Sequence, residues 1–276
     1  MLLDSLSGLG HRTIETMDGF GRFTRFSWAT LRWSVLGRPG YGRMKLLLPQ
    51  LYEVGTRSLP VVMLVGAFVG AVLGIEMFDQ FRELGQENRI GGVINLSVVK
   101  QIGPVLAAVM IAGRVGGAVS AEIGTMRVTE QIDALRAMGT DPISYLVVPR
   151  VIACVVMVPL LTIISDLLGM LGGWLVVVVG LGVDGSEYWR FSEALVTSFD
   201  LFTGLSKALV FGLLIGLISC YKGFNCGSGA SGVGKAATDA FVTSFIAIII
   251  ANFFLAKFLN DLYVMIYGGL PNAMQV

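Results

Sequence analysis

Hydrophobic positions along this chain gather into long unbroken runs separated by short polar stretches. A run of about 20 apolar residues can cross the roughly 30 Å hydrocarbon core of a bilayer as a helix. Such runs predict spans at Leu59 to Phe78, Val93 to Ala121, within Tyr145 to Val183, Leu205 to Tyr221 and Ala240 to Tyr267. The third region is too long for one upright helix. It reads as a tilted helix that continues beyond the membrane, or as a helix broken near Pro159 or at Gly172–Gly173, so a six-span count stays open. Upstream, His11 to Leu36 mixes Phe20, Phe23, Phe26, Trp28 and Trp33 with Arg22, Arg25 and Arg32. Aromatics beside arginines, in a segment too polar to cross, predict an amphipathic helix lying in the membrane interface, with an ordinary cytoplasmic helix as the alternative.

One run departs from the pattern. Gln101 to Arg150 begins apolar and rich in small residues, then turns polar from Glu122 to Asp141 before the third span. Val128, Ile132, Leu135 and Gly139 fall on one helical stripe, while Arg127, Glu130, Gln131 and Arg136 are polar. Gly139 suits the position just past a helix end. Asp141–Pro142 reads as an N-cap followed by proline in the first turn. The expectation is a helix over about 122–139, a sharp stop, and a new helix entering the membrane. A charged helical element between two spans predicts a docking surface for another protein. Its spacing, Asp133-Ala134-Leu135-x-x-x-Gly139, is loosely similar to the Glu-Ala-Ala-x-x-x-Gly signature of ABC importer permeases.

Composition agrees with the spans and removes several functions. The chain has 276 residues, 54% hydrophobic and 14% charged, whereas soluble domains carry about 25% charged residues. A net charge of +1 gives no electrostatic case for a nucleic-acid partner. Cys154, Cys220 and Cys226 lack metal-ligand spacing, and with His11 as the single histidine no metal site is expected. The acidic residues Asp4, Glu15 and Asp18 argue against a cleavable signal peptide, leaving the first span as the insertion signal. Lys and Arg alternate between loops. Eight precede the first span, while the Asp184–Asp200 loop holds one against four acids. This alternation predicts that the N-terminus and the Glu122–Asp141 element lie inside and the C-terminus outside.

Glycines at four-residue spacing (Gly66, Gly70 and Gly74; Gly113 and Gly117; Gly169 and Gly173; Gly212 and Gly216) predict close helix contacts. Glu76, Lys100, Arg114, Asp166, Lys207, Lys257 and Asp261 are ionisable residues within or at the ends of spans. Glu76 and Lys100 could meet a lipid headgroup or snorkel to the interface, and Arg114 could pair with Glu122 eight residues on. Asp166 stands alone, with no chain of carboxylates for proton coupling. Gly229-Ala-Ser-Gly-Val-Gly234-Lys235-Ala236 nearly matches a phosphate-binding loop, but Ala236 replaces the hydroxyl residue that would meet Mg²⁺. A compact cytoplasmic turn is expected there. No catalytic constellation appears.

The run GPVLAAVMIAGRVGGAVSAEIGTMRVTEQIDALRAMGTDPISYLVVPR strongly resembles the MlaE/YrbE permease family, membrane subunits of ABC systems that move phospholipids or other lipids. The likeness covers roughly residues 45 to 265, with Gln50-Leu-Tyr-Glu-Val-Gly55 and Gly70-Ala-Val-Leu-Gly74 upstream and Gly229 to Thr238 downstream. It implies an all-α integral membrane protein. About five transmembrane helices (59–267) would follow an N-terminal segment (1–58) containing the interfacial helix, with a cytoplasmic coupling helix near 122–139 and a periplasmic tail at 268–276. It further implies a non-catalytic subunit of the bacterial inner membrane, paired with a second copy of itself. Two cytoplasmic ABC ATPases would hold the ATP and Mg, this chain binding no cofactor. A periplasmic MCE-domain ring and a small STAS-type cytoplasmic subunit complete the implied partners.

In this resemblance Glu122, Thr125, Met126, Arg127, Thr129, Glu130, Gln131, Asp133, Leu135 and Gly139 form the ATPase-coupling element. Gly103, Pro104, Gly113, Arg114 and Gly124 belong to the structural motif. A phospholipid site between the two subunits, at the outer ends of the first, second and fifth spans, is expected to use Leu73, Glu76, Phe78, Lys100 and Gln101. Family members often carry an acidic residue before Leu-Gly-Pro where this chain has Gln101-Ile-Gly-Pro104, and Glu76 stands where glutamine is common. An ion-coupled secondary transporter and a non-transporting scaffold for an MCE complex are the alternatives.

Overall fold

A computed structural model describes residues 2–36 and 41–268; the tail from residue 269 onward lies outside them. The described residues fold into helices, with no strand among them. In chain order these are α1 (Leu2–Leu36), α2 (Tyr41–Leu51), α3 (Leu59–Glu83) and α4 (Glu87–Val128), then α5 (Gln131–Ala137) and α6 (Ile143–Gly180). The remainder are α7 (Gly185–Leu195), α8 (Ser198–Phe224) and α9 (Gly229–Tyr267). Among the described residues five stretches are long and apolar enough to cross a membrane: Met44–Glu83, which joins α2 to α3, and α4, α6, α8 and α9. The chain is an all-α integral membrane protein.

The helices outrun the apolar runs that predicted them, because the flanking polar residues continue the same backbone hydrogen bonding. α6 is unbroken. Pro159 removes one amide donor without ending the helix, and Gly172–Gly173 serve packing, since a Cβ on Gly172 would overlap the Ala67 carbonyl. The six-span alternative falls away. The Gly229–Ala236 run is also not a compact turn: Gly229, at φ +74°, starts α9 and the rest forms its first turns.

In lipid the solvent is as apolar as the side chains, so close packing replaces hydrophobic drive between helices. The α3–α6 pair shows this directly. Gly66, Gly70 and Gly74 all face α6, and a Cβ on Gly70 would overlap the Gly169 carbonyl. One core joins Ala108 and Ile111 of α4, Val151 and Val158 of α6, and Phe211 and Ile215 of α8. A second core at the other end joins Phe78, Ile90, Ile94, Val177 and Tyr188. α1 docks through Phe23 and Phe26, whose rings meet Tyr221 of α8 edge-on at 5.2 and 5.6 Å. Its Met17, Phe20 and Trp28 remain exposed.

Candidate functional site

Both regions of α4 that carry polar chemistry begin at π-helical turns, which interrupt the regular ladder and are frequent at functional sites. The first turn, Val98–Ile102, holds Lys100 and Gln101. Pro104 follows it and has no amide hydrogen, so the Lys100 carbonyl lacks its usual donor four residues on. Lys207 of α8 supplies the missing donor. Its Nζ donates to the Lys100 carbonyl at 3.1 Å and to Gln101 Oε1 at 2.5 Å.

Lys100 is treated differently, its Nζ lying 3.0 Å from Asp200 Oδ1. The other oxygen of Asp200 accepts from the Thr197 amide at 3.0 Å and the Thr197 hydroxyl at 2.7 Å, fixing the start of α8. Lys100, Gln101 and Lys207 border a cavity of about 460 Å³ between α4, α8 and α9, whose wall includes Thr203, Lys257, Asn260 and Tyr263.

Of the five residues expected to bind lipid, Lys100 and Gln101 meet here and the other three do not. Phe78 is buried in the second core, Leu73 packs against that core, and Glu76 is exposed on α3. The glycine stripe turns α3 towards α6, and the cavity is walled by α8 rather than by α3. Asp200 and Thr203 were absent from the sequence-based site. Lys207 gave a signal, an ammonium inside an apolar run, but nothing local pointed it at Gln101.

The second π-turn, Ala112–Gly116, contains Gly113 and Arg114. Arg114 does not reach Glu122, since eight residues span about 12 Å of helix; it donates instead to Ser58 Oγ at 2.6 Å. Glu122 pairs with Arg150 of α6 at 2.9 Å. Arg150 is buried and also donates to the Leu146 carbonyl at 3.1 Å. Gly113 faces Phe241 of α9, while Gly124 faces Cys226, whose thiol donates to the Gly124 carbonyl at 3.4 Å. Arg127 donates to the Phe224 carbonyl at 2.6 Å, tying the end of α4 to the end of α8.

Beyond Val128 the structure departs from the single helix expected over 122–139. Glu130 takes φ 59°, a left-handed conformation that a side chain makes unfavourable, and it divides α4 from α5. Hydroxyl bonds local to the turn accompany the break. Thr125 bonds the Ala121 carbonyl at 2.9 Å, Thr129 bonds the Thr125 carbonyl at 2.8 Å, and Gln131 donates to Thr129 Oγ1 at 3.0 Å. α5 is anchored by buried Ile132, with Leu135 and Met126 packed against the same core. Its exposed side presents Glu130, Gln131 and Met138, with Asp133 and Arg136 paired at 2.8 Å. Gly139, at φ +75°, follows the helix end. Asp141 Oδ1 accepts the Ile143 amide at 2.9 Å and opens α6.

α7 closes the cavity end of the bundle against α4. Asp184 accepts from the Ser186 hydroxyl and amide, both at 2.8 Å, which holds its carboxyl below the usual carboxylate range. Burial pushes the Tyr188 phenol up to about 12, so it stays protonated and donates to Asn95 Oδ1 at 3.2 Å.

Comparison with known proteins places this geometry. The family model described as "Permease MlaE" matches residues 47–258. A Rickettsia felis protein named "Probable ABC transporter permease protein" is 44% identical over 257 residues, covering 93% of this chain and 98% of the relative. A Synechocystis protein of the same description is 46% identical over 209 residues, covering 76% of this chain and 80% of the relative. The Haemophilus influenzae "Intermembrane phospholipid transport system permease protein MlaE" is 32% identical over 259 residues, 92% of this chain and 97% of the relative. With its five spans, its polar element beyond α4, and relatives matched over almost their full length, the chain belongs to the MlaE permease family.

Proposed function

We propose that this permease forms the membrane path of an ABC transporter that moves phospholipids, or related lipids, between the bacterial inner membrane and a periplasmic MCE-protein ring. ATP and Mg are bound and used by a separate cytoplasmic ATPase, and this chain contributes no catalysis. It works as a homodimer, with a small STAS-type subunit as a further cytoplasmic partner. The Lys and Arg distribution supports a cytoplasmic N-terminus and α5 and a periplasmic C-terminus.

The observation that carries this reading is the continuity of α4. The same helix borders the cavity at Lys100 and Gln101 and grips α6 and α8 near α5 through Glu122 and Arg127. The two regions lie 22 residues apart along it, or about 33 Å of helix. An ATPase that pushes on α5 can thereby move the cavity wall without either site contacting the other. The name of the Haemophilus influenzae relative supports lipid as cargo.

Purification of the tagged full-length chain from its native membrane tests the assembly. The expected result is a complex containing an ABC ATPase and bound phospholipid, with Glu130→Lys weakening ATPase recovery several-fold while the permease still folds. Recovery of no ATPase from either protein would contradict the proposal.

One observation favours a second reading, an ion-coupled transporter. Asp166 is buried in α6 beside Gly103, and its Oδ1 has no hydrogen-bond partner. That reading expects Asp166→Asn to abolish transport and a pH gradient to drive it. The ABC reading expects ATP-driven transfer to persist in the variant.

A further inference from the structure

We infer that the cavity between α4, α8 and α9 is a phosphate-recognising pocket that prefers ligands of net negative charge to zwitterionic ones. This deepens the lipid-permease reading and rests on it.

The charge balance of the wall is the first support. Lys100, Lys207 and Lys257 all border the cavity, and among the described residues no carboxylate does. The acid that reaches this wall from behind is Asp200, and it is committed: one oxygen to Lys100, the other to Thr197. Asp261, next to Asn260 on α9, is exposed and outside the lining. Lys100 is therefore neutralised within the fold and Lys207 is not.

The second support is the surroundings of Lys207. Its residue is 1% exposed, yet both of its acceptors, the Lys100 carbonyl and Gln101 Oε1, are uncharged. An ammonium has three donors, so one remains after these two bonds. A buried cation without a counter-charge is costly, and an anion in the cavity removes that cost. One helical turn before Lys207, Thr203 lines the same cavity. It is 2% exposed, and its hydroxyl has no partner. A free donor beside an unneutralised ammonium suits the oxygens of a phosphate.

A choline- or amine-bearing headgroup finds less. Among the described residues no free carboxylate lines the wall to pair its cation. The nearby aromatic rings pack on one another, Phe199 edge-on to Tyr263 at 5.0 Å and Tyr263 stacked on Tyr267 at 4.8 Å, so they frame no open cage for a quaternary amine. A volume of about 460 Å³ has room for a headgroup with the first carbons of its glycerol, and the acyl chains would extend beyond it.

The test uses the full-length chain, purified with its ATPase partner, in nanodiscs holding equal phosphatidylglycerol and phosphatidylcholine with matched acyl chains. Protein-bound lipid is then extracted and quantified by mass spectrometry. Wild type is expected to hold phosphatidylglycerol over phosphatidylcholine by about tenfold, because both offer the same phosphate but only phosphatidylcholine brings a cation beside Lys207 and Lys257. Gln101→Glu gives Lys207 a carboxylate and should bring the ratio of the two bound lipids near parity. Lys207→Gln should do the same, and Gln101→Glu, on the cavity rim, keeps the test valid if that variant misfolds. A parallel arm adds sn-glycerol 3-phosphate; if it displaces lipid at equal occupancy, the recognised phosphate ester is a soluble one, and if it does not, the lipid headgroup is the occupant. Parity in wild type, or a preference that survives both variants, would overturn the inference. ATP-driven lipid transfer in the same preparation separates the failures, because transfer without preference sinks only the pocket assignment, whereas no bound lipid and no transfer sinks the permease reading.

Discussion

The two ends of α4 hold their charges in opposite ways. Near α5, buried Arg150 is matched by Glu122, Arg127 is spent on a backbone carbonyl, and the remaining ionic groups stand in solvent on the exposed side of α5. Around the cavity, Asp200 matches Lys100, but Lys207 is enclosed with neutral oxygens only. A finished ion pair makes a rigid joint, and an unfinished one makes a site waiting for a ligand. Under the proposed function, the difference would separate the end of α4 that transmits motion from the end that recognises cargo.

Substitutions can break this contrast. The largest effect is expected from Glu122→Ala. Removing one partner of a buried pair costs about 3–5 kcal/mol; with Glu122 itself 51% exposed, about 2 kcal/mol is expected, read as a lowered Tm in detergent. Ile132→Ala follows. Truncation at this buried anchor should cost about 2 kcal/mol, concentrated locally, so that hydrogen exchange across 131–137 rises while the spans stay protected. Asp200→Asn should cost less, about 1 kcal/mol, because Lys100 is partly exposed and can turn towards water. A greater loss for Asp200→Asn than for Glu122→Ala would reverse the contrast. The smallest change is Glu130→Gly. It relieves the left-handed strain at the α4–α5 junction against glycine's entropic cost, and a gain within about 1 kcal/mol is expected. Destabilisation there would show that the Glu130 side chain makes a contact the turn depends on.

The spans, the glycine stripe on α3 and the stop at Gly139 and Asp141 were legible because each rests on local rules: run length, four-residue spacing, and capping chemistry. The break at Glu130 was not. Hydrophobic spacing from Val128 to Leu135 fits one helix, and only the tertiary anchoring of Ile132 with the turn bonds of Thr125 and Thr129 explains why the chain divides there. The cavity was half legible. Lys100 and Gln101 belong to a motif within one helix, whereas Lys207 and Asp200 lie about a hundred positions further on and meet them only through packing of α4 on α8. Leu73 and Phe78 lie in or against the second core rather than at the cavity, because apolar character cannot tell a lipid-facing wall from an interior contact of α3.

The most direct measurement is transfer of a fluorescent phospholipid from proteoliposomes containing the complete complex to acceptor vesicles, with wild type compared to an α5 variant carrying Glu130→Lys and Asp133→Lys. ATP should drive transfer in wild type, and the variant should bind lipid normally yet transfer it at the rate seen without ATP. Transfer driven by a pH gradient in the absence of ATP, or ATP-driven transfer that the α5 variant leaves unchanged, would contradict a permease moved through α5.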